Sequence, residues 1–207
     1  MHKISRGLRV LIYYGLLRWL PNDSVPFGFV FDKLRYYCCR PLFKHCGYPV
    51  NIRHYAHFGN GARVSIGDHS DLGTNCFIVG DVTFGDYVGL SFDVFITSLN
   101  RDFSRKEGLA MGDGSRPSVP VTIHDDVLIL ARVMILPGVT IGSHSVIGGG
   151  AVVSKDVPEW AVVAGNPARI VAWRTDAPGP DYDGATMTPM SDKLQRRFEE
   201  KDSSLAR

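Results

Sequence analysis

The sequence predicts a parallel β-helix, in which short strands coil around one axis, and three observations support this fold class. A large apolar residue recurs every six positions in two blocks, and a small or β-branched residue follows four positions behind it. Gly often comes directly after the large residue. A period of six matches neither the 3.6 residues of a helix turn nor the alternation of an ordinary strand. Hexapeptide repetition is instead typical of a parallel β-helix.

The large apolar residues form a first column that we expect to point inward and to stack on its equivalents one coil away. Its members are Ile66, Leu72, Ile78, Phe84, Leu90, Ile96, Ile123, Ile129, Ile135, Ile141, Ile147 and Val153. A second inward column comprises Ser70, Cys76, Val82, Val88, Val94, Val127, Val133, Val139, Ser145, Ala151 and Val157. We expect Gly67, Gly73, Gly85, Gly142 and Gly148 at tight corners, where φ is unusual and a Cβ would crowd the next coil. A β-sandwich that is merely rich in Ile and Val would not keep this phase.

Residues 1–49 differ from the repeat and predict a helical extension. Residues 8–20 are apolar but contain Arg9 and Arg18, so the stretch is too short and too charged to span a bilayer. It also lacks the small-residue cleavage site of a signal peptide. The extension carries eight basic and two acidic residues. Two interpretations remain open: a cap over the unpaired strand edges of the first coil, or a helical segment that rests on an anionic membrane face.

The β-helix itself is predicted over residues 50–174, interrupted by an inserted loop over residues 97–122. A long loop that interrupts a regular solenoid more often has a function than not. Residues 175–207 are rich in Pro, Gly, Asp and Thr, which predicts a flexible tail with a short helix after Ser191.

The composition describes an ordinary globular chain. The 207 residues carry a net charge of +2, so no overall basicity favours nucleic acid as a partner. The four cysteines are Cys38, Cys39, Cys46 and Cys76, and they have no paired C-x-x-C spacing. Neither a zinc site nor a disulfide framework is expected, and a reducing cytoplasm fits this cysteine usage better.

Three motifs resemble the hexapeptide-repeat acyltransferases. They are Ile135-Leu-Pro-Gly-Val-Thr-Ile-Gly, Val146-Ile-Gly-Gly-Gly-Ala-Val-Val-Ser-Lys-Asp-Val-Pro and Val163-Ala-Gly-Asn-Pro-Ala-Arg. Within that family the chain looks most like the galactoside, maltose and capsular-polysaccharide O-acetyltransferase branch, over roughly residues 50–174. The resemblance implies a left-handed β-helix and a homotrimer with active sites in the grooves between subunits. It also implies acetyl-CoA as the acyl donor and a glycan hydroxyl as the acceptor.

Carried over position by position, the resemblance assigns a CoA site to Ala131, Gly149, Ser154, Lys155 and Arg169. The small residues would admit the pantetheine arm, and Lys155 and Arg169 could meet phosphates with charge-assisted hydrogen bonds. Without the resemblance, both would be interpreted as solvated surface charges. Asn75 falls near an acceptor-binding asparagine of the family.

The sequence departs from the family at the catalytic position. The family's general base is a His in the long loop, within the run Asn-His-Glu/Asp-Phe-Ser, that removes a proton from the sugar hydroxyl. The run here is Asn100-Arg101-Asp102-Phe103-Ser104, so Arg101 replaces the His. A guanidinium has a pKa above about 12 and no acceptor lone pair, so it cannot act as a base. It could still stabilise an oxyanion or bind an acidic sugar. Leu130 likewise replaces a customary glycine beside the CoA channel.

Two residues are candidates for a replacement base. His124 stands at a corner where other coils carry Gly, just after the loop returns, and Asp102 offers a carboxylate within the loop. His69 and His144 are expected to face solvent, and His54 and His57 lie in an irregular first coil.

Three functions therefore stay open. The first is a cytoplasmic acetyl-CoA-dependent O-acetyltransferase of a glycan precursor, which could contact the inner membrane face through residues 1–49. The second is a catalytically silent trimeric scaffold or regulator. The third is an N-acetyltransferase of an amino-sugar nucleotide. The retained CoA motifs favour an enzyme, whereas Arg101 and Leu130 favour the scaffold.

Overall fold

The structure, a computed structural model, describes residues 5–21, 25, 28–100 and 117–174. These residues form a parallel β-helix of about six coils, preceded by two α-helices. The predicted parallel β-helix with an N-terminal helical extension is thus confirmed. The predicted tail over residues 175–207 and most of the inserted loop lie outside the described residues.

The helical extension consists of α1 (Arg6–Gly15) and α2 (Gly28–Cys39), each followed by a short 3-10 turn, Leu17–Trp19 and Arg40–Leu42. Ser5 caps α1, since its hydroxyl accepts a hydrogen bond from the backbone of Leu8. Within the part of the chain that the structure describes, no helix has both the length and the apolarity needed to cross a membrane.

Sixteen short strands follow the helices in the described residues. They are β1 His45–Cys46, β2 Asn51–Ile52, β3 Val64–Ile66, β4 Asp71–Leu72, β5 Phe77–Val79, β6 Val82–Phe84, β7 Gly89–Leu90, β8 Phe95–Thr97, β9 Val121–Ile123, β10 Leu128–Ile129, β11 Met134–Ile135, β12 Thr140–Ile141, β13 Val146–Ile147, β14 Val152–Val153, β15 Ala161–Ala164 and β16 Arg169–Trp173.

These strands form three sheets that make the three flat sides of the coil. The first sheet has the order β1-β3-β6-β9-β12, the second β16-β15-β13-β10-β7-β4-β2, and the third β14-β11-β8-β5. Every strand pair is parallel except β15–β16, which forms an antiparallel hairpin at the C-terminal end. The coil continues in register across the inserted loop, because Phe84 of β6 pairs with Ile123 of β9.

Both predicted inward columns are buried. No member of the first column is more than 6% exposed, and no member of the second is more than 5% exposed. The two serines in the second column are hydrogen-bonded, since Ser70 Oγ donates to the Gly85 carbonyl at 3.0 Å and Ser145 Oγ to the Pro158 carbonyl at 2.8 Å. The hexad pattern therefore identified the interior of the coil correctly.

The corner glycines behave differently from the prediction in one respect. None of the five has a positive φ; the left-handed conformation occurs two residues later, at His69, Asn75, Tyr87, His144 and Gly150. At four of these five corners the chain therefore turns on a residue with a side chain, and Asn and His tolerate this conformation better than most. The steric part of the prediction holds: a Cβ on Gly67 would lie 2.4 Å from the carbonyl carbon of Gly85 in the next coil.

The two helices cap the first coil. The Tyr13 hydroxyl donates to the Ala56 carbonyl at 2.8 Å, and the Tyr36 hydroxyl to the Gly47 carbonyl at 2.9 Å. Arg35 is fully buried, and its guanidinium donates to the carbonyls of Leu17, Leu20, Pro21 and Ile52 and pairs with Asp32. A buried charge requires such full pairing. Arg35 thereby ties α2, the turn after α1 and strand β2 together.

The first coil begins earlier than the predicted residue 50, because strand β1 pairs with β3 through Cys46 and Ile66. Cys46 occupies the inward position that Ile or Phe takes in later coils, and it is 8% exposed. The hexad pattern of large aliphatic residues did not reveal this strand for that reason.

Candidate functional site

A cavity of about 190 Å³ lies where the corner after β14 meets the β15–β16 hairpin. Ser154, Lys155 and Arg169 line it together, and its apolar walls include Val163 and Ile170. The structure thus gathers three of the five residues that the resemblance assigned to the CoA site.

The backbone on both sides of the cavity is firmly held. Asp156 accepts a hydrogen bond from the Thr140 amide at 2.8 Å, which fastens the corner that carries Lys155 to the coil below. Arg169 begins β16 opposite Ala164 of β15, and its guanidinium donates to the Ala168 carbonyl at 2.8 Å. Two cations therefore converge from separate elements on an apolar cavity, which suits phosphate groups attached to an extended organic chain.

Ala131 and Gly149 lie at the opposite edge of the third sheet. They stack at the corner between the second and third sheets, where the Gly150 amide donates to the Ala131 carbonyl at 2.8 Å. A Cβ added to Gly149 would lie 3.3 Å from that carbonyl oxygen and 4.0 Å from the Leu130 Cβ. Leu130 is 38% exposed, so its side chain occupies the surface beside Gly149. The predicted CoA residues are therefore divided between two edges of one sheet within the protomer.

The inserted loop starts and ends at the same edge of the β-helix that carries Lys155. Ser98 is buried at its base, where its Oγ accepts the Asp81 amide at 2.7 Å and lies 2.6 Å from the Ser118 Oγ. Because coils are spaced by about 4.8 Å, this base lies roughly 10 Å along the axis from the Lys155 corner, two coils away. Asn100 is exposed at the end of the described stem. Arg101 and Asp102 lie outside the described residues.

Asn75 lies on the edge that carries Ala131 and Gly149. Its side-chain amide donates to Asp93 Oδ1 at 2.8 Å, and Asp93 in turn lies 3.7 Å from the Arg132 guanidinium. These three residues stack in consecutive coils, so this edge carries a polar column. Its carboxylate and amide groups can bind hydroxyl groups by hydrogen bonds.

His124 is exposed at the far end of β9 from the point where the inserted loop returns. Its backbone amide donates to the Ile141 carbonyl at 2.9 Å. Within one protomer the three residues of β9 separate His124 from the edge that carries Lys155. Its role as a base stays a prediction.

The sequence reasoning missed a cluster around His144, which was expected to face solvent. His144 Nδ1 lies 2.9 Å from Asp126 Oδ2, and its ring stacks on Trp160 at 4.1 Å. Arg174 also reaches Asp126 Oδ2, at 2.9 Å. The hydrogen bond from His144 and the one from Arg174 lower the pKa of Asp126. The spacing of 18 residues between Asp126 and His144, which is one coil, is the sequence signal that could have found the pair.

Of the other histidines that were considered, His69 is exposed and stacks on Tyr87, whereas His54 and His57 lie in the first coil and are partly shielded. The His57 ring stacks on Phe77 at 4.2 Å, and His54 Nδ1 lies 3.4 Å from the Thr74 hydroxyl. Burial lowers the pKa of both imidazoles, so both are neutral near pH 7.

Comparison with known proteins agrees with the fold and the motifs. A family model described as bacterial transferase hexapeptide (six repeats) matches residues 120–155. The galactoside O-acetyltransferase of Escherichia coli K12 is 34% identical over 134 residues. The match covers 64% of this chain and 64% of that protein, slightly less than two thirds of the relative's length.

Two solved structures superpose on most of the chain. A hexapeptide-repeat acetyltransferase from Vibrio cholerae, in complex with acetyl-CoA, has a TM-score of 0.63 and 28% identity, and covers 85% of this chain and 93% of that one. A maltose O-acetyltransferase from Clostridium difficile has a TM-score of 0.64 and 28% identity, with coverages of 78% and 84%. These similarities confirm the left-handed hexapeptide β-helix and the resemblance on which the site residues were assigned.

Proposed function

We propose that this chain is a member of the hexapeptide-repeat acetyltransferase family and acts as an acetyl-CoA-dependent O-acetyltransferase on a hydroxyl of a glycan. The observation that carries the proposal is the cavity shared by Ser154, Lys155 and Arg169. Lys155 and Arg169 supply the cations for the CoA phosphates, and the apolar walls supply contacts for the organic part of the donor.

In the proposed reaction the acceptor oxygen attacks the thioester carbonyl carbon, the carbon–sulfur bond breaks, and CoA leaves as a thiol. A base must take the hydroxyl proton and pass it to the departing CoA sulfur, and Arg101 cannot do so. We assign the base to Asp102, because both stems of the loop leave from the edge that carries Lys155. His124, which lies at the other end of β9, is the alternative. Arg101 and Asn100 then act as donors to the oxyanion that forms at the carbonyl.

The proposed assembly is a homotrimer that buries the outer face of the third sheet. Phe77, Phe95 and Met134 align on this face, and the two Phe rings are parallel with centroids 5.6 Å apart. An aligned apolar stripe of this kind marks an interaction surface. In a cyclic trimer, each interface joins one edge of the third sheet of a subunit to the opposite edge of that sheet in its neighbour. The trimer would therefore place the edge that carries Lys155 in one subunit beside the edge that carries Gly149 in the next subunit. This would complete the donor site, which is divided within a single chain.

The proposed location is the cytoplasm, with peripheral contact to the inner membrane face through the helical cap. Leu11 of α1 and Leu34 of α2 are 70% and 47% exposed, and Arg9 joins the two helices by donating to the Tyr37 carbonyl at 3.2 Å. We expect the protein to sediment with vesicles containing anionic lipid more than with neutral ones. The Leu11→Ser variant should sediment less, whereas Leu128→Ser should not differ from wild type. Equal sedimentation of all three would contradict membrane contact.

The first test of the enzyme function is calorimetric titration of the purified protein with acetyl-CoA. We expect a dissociation constant in the micromolar to millimolar range, raised about tenfold or more by Lys155→Ala or Arg169→Ala, since each removes a charge-assisted hydrogen bond. Arg63→Ala is the control, because Arg63 pairs with Asp81 at the other end of the β-helix.

Absence of acetyl-CoA binding in a protein that still elutes as a trimer would overturn the transferase proposal and leave the catalytically silent scaffold. If binding is present, Arg101→His tests the catalytic assignment. A restored imidazole base should raise turnover, and a lower turnover would indicate that the guanidinium itself is needed.

A further inference from the structure

A cleft of about 320 Å³ lies between helix α2 and the first coil, far along the axis from Lys155. We call it the cap cleft. It is lined on the α2 side by Asp32 and Tyr37 and on the coil side by Tyr48, Asn51 and Arg53, among others. Its volume falls at the lower end of the range of about 300–1,000 Å³ that is typical of small-molecule sites. The proposed acyl transfer uses none of these residues.

Aromatic side chains form one wall of the cap cleft. Tyr37 and Tyr48 are each 62% exposed, although their rings flank a concave site. Tyr36 lies between them, with ring centroids 5.3 Å from Tyr37 and 5.7 Å from Tyr48, and its hydroxyl is bonded to the Gly47 carbonyl. The wall is therefore rigid, apolar on its ring faces and polar at its hydroxyl ends. Such surfaces suit ligands that are themselves apolar on one face and hydroxylated at the edge.

The opposite wall is a fixed polar array. The Arg53 guanidinium donates to Asp71 at 2.8 and 2.9 Å and lies 3.7 Å from Asp32. Asn51 donates its side-chain amide to Asp71 at 3.4 Å. Because the Asp32 and Asp71 carboxylates pair with Arg53, this wall has little net charge with which to hold a phosphate. Lys33 on the α2 side is a further cation of the cleft, and its ammonium lies 5.7 Å from the centroid of the Phe29 ring. It offers carboxylate acceptors and amide and guanidinium donors, the groups that bind neighbouring hydroxyls.

The cap cleft continues toward the predicted acceptor residue. Arg53 also lines a second cavity of about 260 Å³, together with Thr74, Ser91 and Phe92. The cap cleft crosses the outer face of the second sheet from Tyr48 to Arg53, where the two cavities meet. From there the second cavity follows the edge between the second and third sheets to Thr74, which directly precedes Asn75 of the polar column. A ligand that occupies both cavities must be longer than a single sugar ring.

We propose that the cap cleft is a second saccharide-binding site, which holds uncharged sugar units of the acceptor beyond the unit that is acylated. The proposal rests on the proposed function and specifies its substrate class as an oligosaccharide rather than a monosaccharide. Sugar rings stack on Tyr37 and Tyr48, and their hydroxyls bond to the groups organised around Arg53.

The test is binding of the full-length protein to an immobilised array of neutral and acidic oligosaccharides of one to eight units. We expect retention of neutral oligosaccharides of three or more units and no retention of single sugars. Tyr48→Ala should reduce this retention by about tenfold or more, since stacking on an exposed ring is lost. Tyr87→Ala is the matched control, because Tyr87 is 59% exposed and stacks on His69 at the same edge of the β-helix but does not line the cap cleft.

Acetyl-CoA titration of the same variants separates this proposal from the proposed function. Tyr48→Ala should bind acetyl-CoA like wild type, and Lys155→Ala should keep its oligosaccharide binding. A protein that binds acetyl-CoA but no glycan on the array overturns the cap-cleft proposal alone. Equal losses in Tyr48→Ala and Tyr87→Ala would also overturn it, as would preferential retention of acidic glycans that is insensitive to Tyr48.

Discussion

The first and third sheets of the β-helix differ in what they turn outward, while their inward residues are alike. The outward residues of the first sheet, in register from coil to coil, are His45, Ser65, Thr83, Thr122 and Thr140. The corresponding residues of the third sheet are Phe77, Phe95, Met134 and Val152. The inward positions of both sheets are occupied by buried aliphatic or aromatic residues.

This difference shows that the coil is held by its interior and leaves its exterior available for other purposes. Threonine suits a strand through its branched Cβ and presents a hydroxyl to water. The third sheet instead aligns rings, with His57, Phe77 and Phe95 stacked in consecutive coils at 4.2 and 5.6 Å. The polar outer face of the first sheet and the apolar outer face of the third sheet are both compatible with the same coil. The apolar outer face of the third sheet is therefore explained by association rather than by folding.

The largest effect is expected from the interior. Ile135 and Met134 are neighbours on β11, but Ile135 is fully buried and Met134 is 40% exposed. Ile135→Ala should lower the free energy of unfolding by about 2–5 kcal/mol, because it leaves a cavity in the column. Met134→Ala should lower it by less than about 1 kcal/mol at protein concentrations where the chain is monomeric. Urea unfolding measures both, and equal losses would contradict the distinction between interior and exterior.

The next effect concerns the exterior of the third sheet. Met134→Lys puts a charge in the proposed subunit contact, where it would be buried without a partner. We expect the dissociation constant of the trimer to rise about 100-fold, measured by analytical ultracentrifugation. Thr122→Lys changes the equivalent outward position of the first sheet in the same coil and should leave the trimer intact. Dissociation by Thr122→Lys alone would assign the contact to the first sheet instead.

A smaller effect is expected at the edge of the first sheet, where Asp126 contacts His144 and Arg174. Because the pKa of Asp126 is lowered in the folded state, its stabilisation is present above the unfolded pKa of about 3.9 and is lost as the pH falls through the folded value. The carboxylate is partly exposed, so we expect less than about 1 kcal/mol. Melting temperatures between pH 2 and 7 should fall less steeply in acid for Asp126→Asn. Identical acid profiles would contradict this contribution.

The smallest effect is expected on the outer face of the first sheet. Thr83 is exposed and contributes only its outward side chain to that face. Thr83→Ala should change the free energy of unfolding by no more than about 0.5 kcal/mol and leave the trimer unchanged. Phe95→Ala, at the equivalent position of the third sheet in the same coil, should weaken the trimer measurably. Similar effects of Thr83→Ala and Phe95→Ala on the trimer would contradict the proposal that only the outer face of the third sheet lies in the subunit contact.

The sequence allowed the buried residues of the coil to be predicted one by one. A strict period of six is compatible with a coil in which every sixth residue points inward, and this assigns each position in the repeat to the interior or to the surface. The same reasoning failed where the period is broken. Strand β1 carries Cys46 instead of a large aliphatic residue, and the corners turn two residues later than the glycines suggested. At the site, Ser154, Lys155 and Arg169 meet as the resemblance implied, but nothing in the motifs showed that Gly149 lies at another edge.

The sequence by itself determined the coil, its inward columns and the position of the inserted loop, since these depend on local spacing alone. Only the tertiary structure decided which exposed residues act together, because residues one coil apart meet only after the chain has closed its turn. Arg53 with Asp71, Asn75 with Asp93, and Asp126 with His144 are each separated by 18 residues and joined by a hydrogen bond or ion pair. The cap cleft arises in the same way, where helix α2 is held against the first coil by the buried Arg35.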